Sequence, residues 1–148
     1  MYETIKQKFT QCFEKVPQRL FSAPGRTELG GNHTDHQHGL VLAGAVNLDT
    51  RAAVAVNGSA QIRVQSEGYP LCIVPLDKLA PQAEETGTTA ALVRGVAARV
   101  AALGGTPCGF DAYVESDVLP GSGLSSSAAF EVLMAAICNR LFLDGKLS

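Results

Sequence analysis

The stretch that decides the fold lies near the end of the chain and reads Gly121-Ser122-Gly123-Leu124-Ser125-Ser126-Ser127-Ala128-Ala129. It follows a strand-like segment and precedes a long apolar, helix-like segment. Glycines let backbone N–H groups close around an anion, and the start of the following helix adds the positive end of its dipole. A Walker-type lysine is missing, but three consecutive hydroxyls suit a phosphate and its Mg²⁺. The stretch predicts a nucleotide-binding loop; the alternative is a serine-rich loop that only caps a helix.

A second polar segment, residues 23–42, lies far from the first in the sequence. It is rich in small and turn-forming residues, yet it contains an arginine, two acids and three histidines. Such a concentration of chemically active side chains in one polar segment is typical of a site carried by a loop. We therefore predict that residues 23–42 form a loop with a binding or catalytic role.

Together the two segments resemble the galactokinase family, within the superfamily of galacto-, homoserine, mevalonate and phosphomevalonate (GHMP) kinases. Residues 25–36 are similar to the galactokinase signature, usually Gly-Arg-x-Asn-Leu-Ile-Gly-Glu-His-Thr-Asp-Tyr, and residues 120–128 are similar to the superfamily's phosphate-binding motif that ends Gly-Leu-Ser-Ser-Ser-Ala. The resemblance implies an α+β fold, the N-terminal domain of the GHMP kinases (ribosomal protein S5 domain 2-like), with a mixed or antiparallel sheet packed with helices.

The resemblance also implies a reaction, the ATP- and Mg²⁺-dependent phosphorylation of galactose or a related sugar at its anomeric hydroxyl. Ser127 would contact Mg²⁺, with Ser126 able to substitute for it. Ser66, in a Ser-Glu-Gly context, would lie near the nucleotide. The phosphates would be cradled by Gly121, Ser122, Gly123, Leu124, Ser125, Ser126 and Ser127.

Arg26 matches the arginine of the signature, whose planar guanidinium suits the charge that develops on a transferring phosphoryl group. Its alternative is a structural ion pair with Glu28. The resemblance assigns sugar contacts to the segment Asn32, His33, Thr34 and Asp35, with His33 and Asp35 as the family's sugar-binding pair. The alternative for Asp35 is an Asx-type turn, and for His33 a surface imidazole.

Departures from the family pattern within the signature bear on the sugar. Asn32 stands where galactokinases place a glutamate, His36 replaces a tyrosine and Glu28 replaces an asparagine. A charged acceptor for a sugar hydroxyl thus becomes a neutral amide at Asn32, which leaves the identity of the sugar open between galactose and its relatives.

With 148 residues, the chain has the length of one domain. Galactokinases are more than twice as long, so we expect the N-terminal domain alone, as a fragment or truncated paralogue without the C-terminal domain. Within residues 1–148 the sugar signature belongs to residues 1–55, and the phosphate loop with its helix to residues 116–148. Only Glu131 and Asp144 are acids beyond Ser127, and neither is a candidate base, so we expect the isolated chain to turn over little.

Two other functional classes fit parts of the sequence. One is a catalytically inactive sensor or regulator that retains sugar and ATP contacts. The other is a zinc site, because four potential ligands lie within six residues: His33, Asp35, His36 and His38. The galactokinase interpretation already gives two of these residues a role, so we rank zinc lowest.

Composition excludes several partners. A net charge of −2 and a pI near 5.9 provide no basic field for nucleic acid or an anionic membrane. No run of uninterrupted apolar residues approaches the length of a membrane span. The four cysteines include no C-x-x-C pair, and the N-terminus lacks the apolar core of a signal peptide, so a cytoplasmic location with reduced thiols is expected.

Apolar periodicity and turn residues predict the elements of one α+β domain without repeats or linkers. We expect a helix that ends at Pro17, and a hairpin whose turn is Asn57-Gly58. The remaining predictions are a short strand at 20–23, β-structure at 45–56 and 61–65, a weak strand at 71–74, a polar loop at 77–87, a helix in which Leu92, Val96, Val100 and Leu103 share a face before Gly104-Gly105, a half-buried strand at 110–115, and a helix at 125–143.

Overall fold

A five-stranded sheet with helices on both faces organises the computed structural model, which describes residues 2–31, 40–119, 121 and 123–147. The predicted elements are present, with different bounds in several cases. In chain order they are α1 (Tyr2–Phe13), β1 (Arg19–Gly30), β2 (Leu42–Val56), β3 (Gln61–Ser66), β4 (Cys72–Pro75), a 3₁₀ turn (Ala83–Glu85), α2 (Thr89–Ala102), β5 (Phe110–Ser116) and α3 (Ser126–Leu143).

The strands lie in the order β1-β2-β5-β3-β4, and the sheet is mixed. Strands β1 and β2, β2 and β5, and β3 and β4 pair antiparallel, whereas β3 and β5 pair parallel. The predicted α+β class with a mixed sheet packed with helices is confirmed.

The predicted hairpin between β2 and β3 is wrong, because β5 lies between the two strands. The Asn57-Gly58 connection instead passes over the start of β5, where the backbone N–H of Asn57 donates to the carbonyl of Gly109 at 3.0 Å. A Cβ atom on Gly109 would lie 2.0 Å from the carbonyl oxygen of Ser59. Only glycine permits this close approach, so a long-range contact overrides the local turn signal.

Strand β1 is longer than predicted and extends into the segment that we expected to be a loop. Arg26 and Glu28 are paired in the sheet with Ala45 and Ala43 of β2, after a register shift that follows Pro24. Since β1 is an edge strand, its polar residues can remain in solvent, and the apolar alternation that would have revealed the strand is absent. The first part of the signature is therefore a strand.

Apolar residues on opposite faces of the sheet form two separate clusters. On one face, Ala52 and Val54 of β2 belong to the same cluster as Val93 of α2 and Leu133 of α3. The other packs against α1, where Ile5 and Phe9 are fully buried with Ala53 and Ala55. Because α1 covers this second face, the strand β5 is not half-exposed as predicted, and Asp111 has no exposed surface.

The buried face of α2 also differs from the prediction. Val93, Ala97 and Val100 are buried, whereas Leu103 is 46% exposed. Arg94 is buried as well, and its guanidinium donates to both carboxylate oxygens of Glu85 at 2.7 Å. The buried face of α2 thus lies about one residue away from the face that apolar spacing predicts, and the bidentate pair ties the 3₁₀ turn to the helix.

Helix α3 is the one described helix that is long and apolar enough to cross a membrane by length and composition, although polar residues such as Glu131 and Arg140 interrupt its apolar sequence. A third of its residues are buried inside the protein, among them Leu133, Met134 and Ile137. A core helix of a soluble protein passes the same test, so a single helix of this kind is weak support for a membrane span.

Candidate functional site

The described residues of the loop before α3 include three with a positive φ angle. Gly121 and Gly123 have φ values of +76° and +75°, and Ser125 has a φ of 56°. Residues other than glycine adopt the first two conformations only with strain. An added Cβ on either glycine would meet no atom within 4 Å among the described residues, so the space above the loop is open.

Ser125 occupies the N-cap position of α3, but its side chain makes no capping hydrogen bond with the described residues. The first turn of α3, which the structure describes in full, carries no acidic residue. Among the described residues, no side-chain cap or acid in the first turn therefore neutralises the backbone N–H groups and the dipole of this helix. This observation favours the anion-binding interpretation over a loop that only caps the helix.

A cleft of about 470 Å³ opens beside the start of α3. Three of the residues predicted to bind the nucleotide line it: Ser66 at the end of β3, and Ser126 and Ser127 in the first turn of α3. These serines are 60 residues apart in the sequence, so the fold brings together two segments that were predicted separately. The other described lining residues are Thr50, Glu67, Tyr69, Gly87, Thr88, Thr89, Leu92, Val114, Ser116, Val118, Leu119 and Phe130.

Hydrogen bonds between hydroxyl and backbone groups hold the floor of the cleft. The hydroxyls of Thr50 and Ser116, from the neighbouring strands β2 and β5, lie 2.8 Å apart. The Ser116 hydroxyl also donates to the carbonyl of Val118 and accepts from its N–H, both at 3.1 Å. These bonds fix the chain as it leaves β5 toward the phosphate loop.

Arg26 is not among the described residues that line the cleft. Its backbone N–H donates to the carbonyl of Leu124 at 3.1 Å, which ties β1 to the phosphate loop. Its guanidinium Nη2 is 2.9 Å from Oε1 of Glu28, in the ion pair that we weighed as its structural alternative. With Ser125, Arg26 lines a second hollow of about 300 Å³.

Several predicted site residues lie outside the described part of the chain. They are Ser122 of the phosphate loop, the sugar-contact segment Asn32, His33, Thr34 and Asp35, and the remaining members of the zinc alternative, His36 and His38. Among the residues that the structure does describe, no group of three or more histidines, cysteines or acids could hold a metal ion. The oxygen donors at Ser126 and Ser127 fit Mg²⁺ bound together with phosphate, because Mg²⁺ usually uses few protein ligands.

Neither acid beyond Ser127 reaches the cleft. Glu131 lies in a shallow groove between α2 and α3, and Asp144 caps the far end of α3. All four cysteines are described and free, and burial raises the pKa of the Cys138 thiol to about 12. A thiol with such a pKa is protonated at neutral pH and is no nucleophile.

Sequence reasoning missed most of the cleft wall, notably Glu67 and Tyr69 in the turn after β3 and Thr88 and Thr89 at the start of α2. Their types are common in turns and at helix starts, so the sequence gives no signal that separates them from ordinary surface residues. Ser116 carried a weak signal, a hydroxyl at the end of a strand that leads to the phosphate loop.

Comparison with known sequence families shows two matches that together cover most of the chain. Residues 7–56 match the galactokinase galactose-binding signature, and residues 91–148 match the GHMP kinases N terminal domain. The first match contains Arg26, and the second contains the phosphate loop.

Curated relatives include galactokinases of several bacteria. The galactokinase of Bacillus subtilis is 35% identical over 147 residues, and that of Lacticaseibacillus paracasei is 33% identical over 145 residues. The alignments cover 96% and 95% of this chain, respectively, but 37% of each relative. The chain thus spans little more than a third of the length of these relatives.

Solved structures show the same fold. A galactokinase from Lactococcus lactis, complexed with galactose, superposes with a TM-score of 0.86 at 23% identity and covers 99% of this chain and 38% of its own. The mevalonate kinase of Methanococcus jannaschii superposes with a TM-score of 0.73 at 13% identity, covering 88% of this chain and 42% of its own. The predicted fold, the N-terminal unit of the GHMP kinases, is confirmed.

Proposed function

Because this chain belongs to the galactokinase family and corresponds to its N-terminal part, we propose that it provides the phosphate loop and sugar-binding segment of a sugar kinase. The reaction is transfer of the γ-phosphoryl group of ATP to the anomeric hydroxyl of galactose or a related sugar. One observation carries the proposal: the hydrogen bond from the N–H of Arg26 to the carbonyl of Leu124. It joins the sugar signature directly to the phosphate loop, as transfer between two bound substrates requires.

The proposed roles at the phosphate end follow from the geometry of the loop. The backbone at Gly121 and Gly123 and the N-terminus of α3, which no described side chain caps, bind phosphate oxygens. Ser127, with Ser126 beside it, holds Mg²⁺, which when bound neutralises charge on the phosphates. Both serines line the cleft of about 470 Å³, a volume within the range of small-molecule sites.

On the sugar side, Arg26 stabilises the charge that develops on the transferring phosphoryl group. Its ion pair with Glu28 is largely exposed on the arginine side, 47% for the Arg26 side chain, so a bound phosphate can compete for the guanidinium. Asn32, His33, Thr34 and Asp35 supply the sugar contacts in this proposal.

We expect the isolated chain to have little or no kinase activity. In-line transfer needs a group that orients the attacking hydroxyl or accepts its proton. The two acids after Ser127 lie in the α2–α3 groove and at the far end of α3, outside the cleft. Release of ADP from ATP and a sugar by this chain alone would contradict this part of the proposal.

The position of the two acids outside the cleft also supports a second candidate function, a sugar- and ATP-binding sensor or regulator without catalysis. The neutral amide at Asn32, where galactokinases carry a glutamate, is compatible with binding that is not followed by transfer. Saturable binding of both ligands without product, in a protein that contains the rest of the kinase, would favour the sensor over the enzyme.

Small molecules are the proposed partners, with no role for nucleic acid or membrane, and the proposed location is the cytoplasm. The slight negative charge of the chain argues against a nucleic-acid partner. The packing of α3 into the core argues against a role in a membrane, since the buried residues of α3 contact the sheet.

Calorimetric titration of this chain with galactose, glucose and N-acetylgalactosamine, each with and without Mg-ATP, tests the proposal. We expect saturable binding of Mg-ATP and of one sugar, with galactose the first candidate. Arg26→Ala should leave the sugar affinity nearly unchanged, because the arginine serves the phosphoryl group. If neither Mg-ATP nor any of the three sugars binds, the proposed function is wrong for this chain.

A further inference from the structure

One carboxylate lines the cleft beside the start of α3. Glu67 follows Ser66 at the end of β3, and among the described residues that line the cleft it is the one with an acidic side chain. Its backbone N–H donates to the carbonyl of Val114 in β5 at 2.9 Å, which fixes its place. The start of α3 attracts an anion, whereas a carboxylate repels one. A phosphate site in this cleft therefore requires the charge of Glu67 to be balanced.

The balancing charge comes from α1, which packs on the opposite face of the sheet from α2 and α3. Nζ of Lys8 lies 2.5 Å from Oε1 of Glu67 and 2.7 Å from Oε1 of Glu115 in β5. Within the described part of the chain, Lys8 is the one cation that forms an ion pair with Glu67. The described lining of the cleft itself contains no lysine, arginine or histidine. The charge of Glu67 is thus balanced by a residue outside the cleft.

The packing of α1 holds this ammonium group in place. Ile5, one turn before Lys8, and Phe9, next to it, are both buried against the sheet. The Lys8 side chain is 33% exposed, so its contacts keep it partly out of water. The hydrogen bonds to Glu115 and Glu67 raise the pKa of Lys8 above its ordinary value. The ammonium group is therefore charged at neutral pH.

Two carboxylates share this one ammonium group, and only one of them is free to move. The side chain of Glu115 is 12% exposed and that of Glu67 is 54% exposed. Without Lys8 the two carboxylates would repel each other, and the exposed one, which lines the cleft, would move. We propose that Lys8 is a positioning residue of the cleft, which holds the Glu67 carboxylate beside Glu115 and balances its charge so that the cleft accepts a chain of phosphates. This inference rests on the proposed function, which supplies the phosphate ligand.

An electrostatic role of this kind depends on salt. The Debye length is about 30 Å at 0.01 M ionic strength and about 3 Å at 1 M. The dimensions of a cleft of about 470 Å³ lie between these two lengths. The effect of Lys8 on phosphate affinity should therefore be visible at low salt and disappear at high salt, whereas damage to the fold would lower the affinity at both.

Calorimetry on the whole chain with Mg-tripolyphosphate, at low and at high salt, measures this effect. We expect Lys8→Gln to bind about two- to fivefold more weakly than the unsubstituted chain at low salt and equally well at high salt. Lys8→Arg keeps the charge and should restore the affinity. In a chain that also carries Glu67→Gln, the substitution Lys8→Gln should have no effect, because the carboxylate that Lys8 balances is absent.

The matched control is Lys6→Gln, which removes the same charge from the same helix. Lys6 pairs with Glu3 at 2.8 Å, and neither residue lines the cleft, so the affinity should not change. Unchanged affinity in Lys8→Gln at low salt, an equal loss in Lys6→Gln, or a loss that persists in the Glu67→Gln chain overturns the inference alone. Failure of the unsubstituted chain to bind Mg-tripolyphosphate and Mg-ATP overturns the proposed function and this inference with it.

Discussion

Strand β5 begins in a closed polar cluster and ends at an open cleft. At its start, Asp111 accepts from three side chains at once, those of Arg63, Asn57 and Lys15. At its end, the chain continues from Ser116 into the phosphate loop, where glycines leave space and the next helix begins uncapped by the described residues. The first end has no hydrogen-bonding capacity to spare for a ligand, whereas the second does.

The closed end shows how a buried charge is accommodated. Arg63 donates to both oxygens of Asp111 at 2.6 and 2.7 Å, Asn57 donates at 2.8 Å, and Lys15 lies 2.5 Å away. Burial acts to raise the pKa of Asp111, but the hydrogen bonds from Arg63, Asn57 and Lys15 outweigh it and hold the pKa below its ordinary value. A cluster that satisfies every member contributes to stability and to the position of α1.

The open end shows the opposite arrangement. Its donors are backbone N–H groups and hydroxyls that face a cleft, and a ligand would complete their hydrogen bonds. We infer that substitutions at the closed end change stability and leave ligand affinity alone, and that substitutions at the open end do the reverse.

The largest expected effect is at Asp111. Asp111→Ala removes the partner of Arg63 and Lys15 from a position with no exposed surface, and because those two side chains are partly exposed and can be hydrated, it should lower the free energy of unfolding by about 1.5–3 kcal/mol. Urea unfolding measures this. The control is Glu3→Ala, because Glu3 pairs with Lys6 at 2.8 Å with both side chains exposed, and its loss should change the free energy of unfolding far less. Equal effects in the two variants would contradict the contrast between the two ends.

Lowering the pH tests the contribution of the Asp111 carboxylate to stability without a substitution, and the expected effect is smaller. Since the pKa of Asp111 is lower in the folded than in the unfolded chain, its contribution to stability is present above the unfolded value, about 3.9, and is lost as the pH falls through the folded value. The stability of the unsubstituted chain should therefore fall below about pH 4. In Asp111→Asn this part of the loss should disappear, which thermal unfolding between neutral and acidic pH would reveal as a flatter profile.

The closed end also marks where sequence reasoning failed. Alternation along 110–115 placed Asp111 with Tyr113 and Glu115 on an exposed face, because nothing local indicates that α1 covers that face. The same limit explains the wrong hairpin at Asn57-Gly58, since β5, which separates β2 from β3, begins only at Phe110, far beyond this turn in the sequence. Local patterns predict elements, whereas long-range pairing decides which faces and neighbours they have.

At the open end, the fold brings together three residues that the sequence singled out, and for a physical reason. A phosphate loop is a short, continuous piece of backbone whose glycines and hydroxyls are visible in the sequence, and Ser66, Ser126 and Ser127 line one cleft. Their contact with a nucleotide stays a prediction. The far wall is built from residues such as Thr88 and Tyr69, whose roles arise only from the packing of α2 and β3. Arg26 was predicted in a loop and lies in a strand.

At the open end, Ser127→Ala should weaken Mg-ATP binding by about tenfold, because it removes one hydroxyl from a charged ligand. The free energy of unfolding should change by less than about 0.5 kcal/mol, since the side chain faces the cleft. Calorimetry and urea unfolding measure the two quantities. Ser22→Ala, which deletes a hydroxyl that donates to Asp49 at 2.9 Å outside the cleft, is the control and should leave Mg-ATP affinity unchanged. A loss of stability without a loss of affinity in Ser127→Ala would place this serine with the closed end.

The smallest expected effect is at Glu28, whose ion pair shares features with both the closed end and the open end. Its pair with Arg26 resembles the closed end, but the arginine side chain is 47% exposed and lies beside the phosphate loop. An exposed pair of this kind is worth less than about 1 kcal/mol, and it places a negative charge where a phosphate would interact with the guanidinium. Glu28→Asn, which introduces the usual residue of the galactokinase signature, should therefore raise the affinity for Mg-tripolyphosphate by about two- to fivefold at low salt, with the gain decreasing as salt screens the charge. Glu28→Asp keeps the charge and should show no such gain. A lower affinity in Glu28→Asn would mean that Glu28 holds Arg26 in the position where it binds phosphate, and the pair would then belong to the site itself.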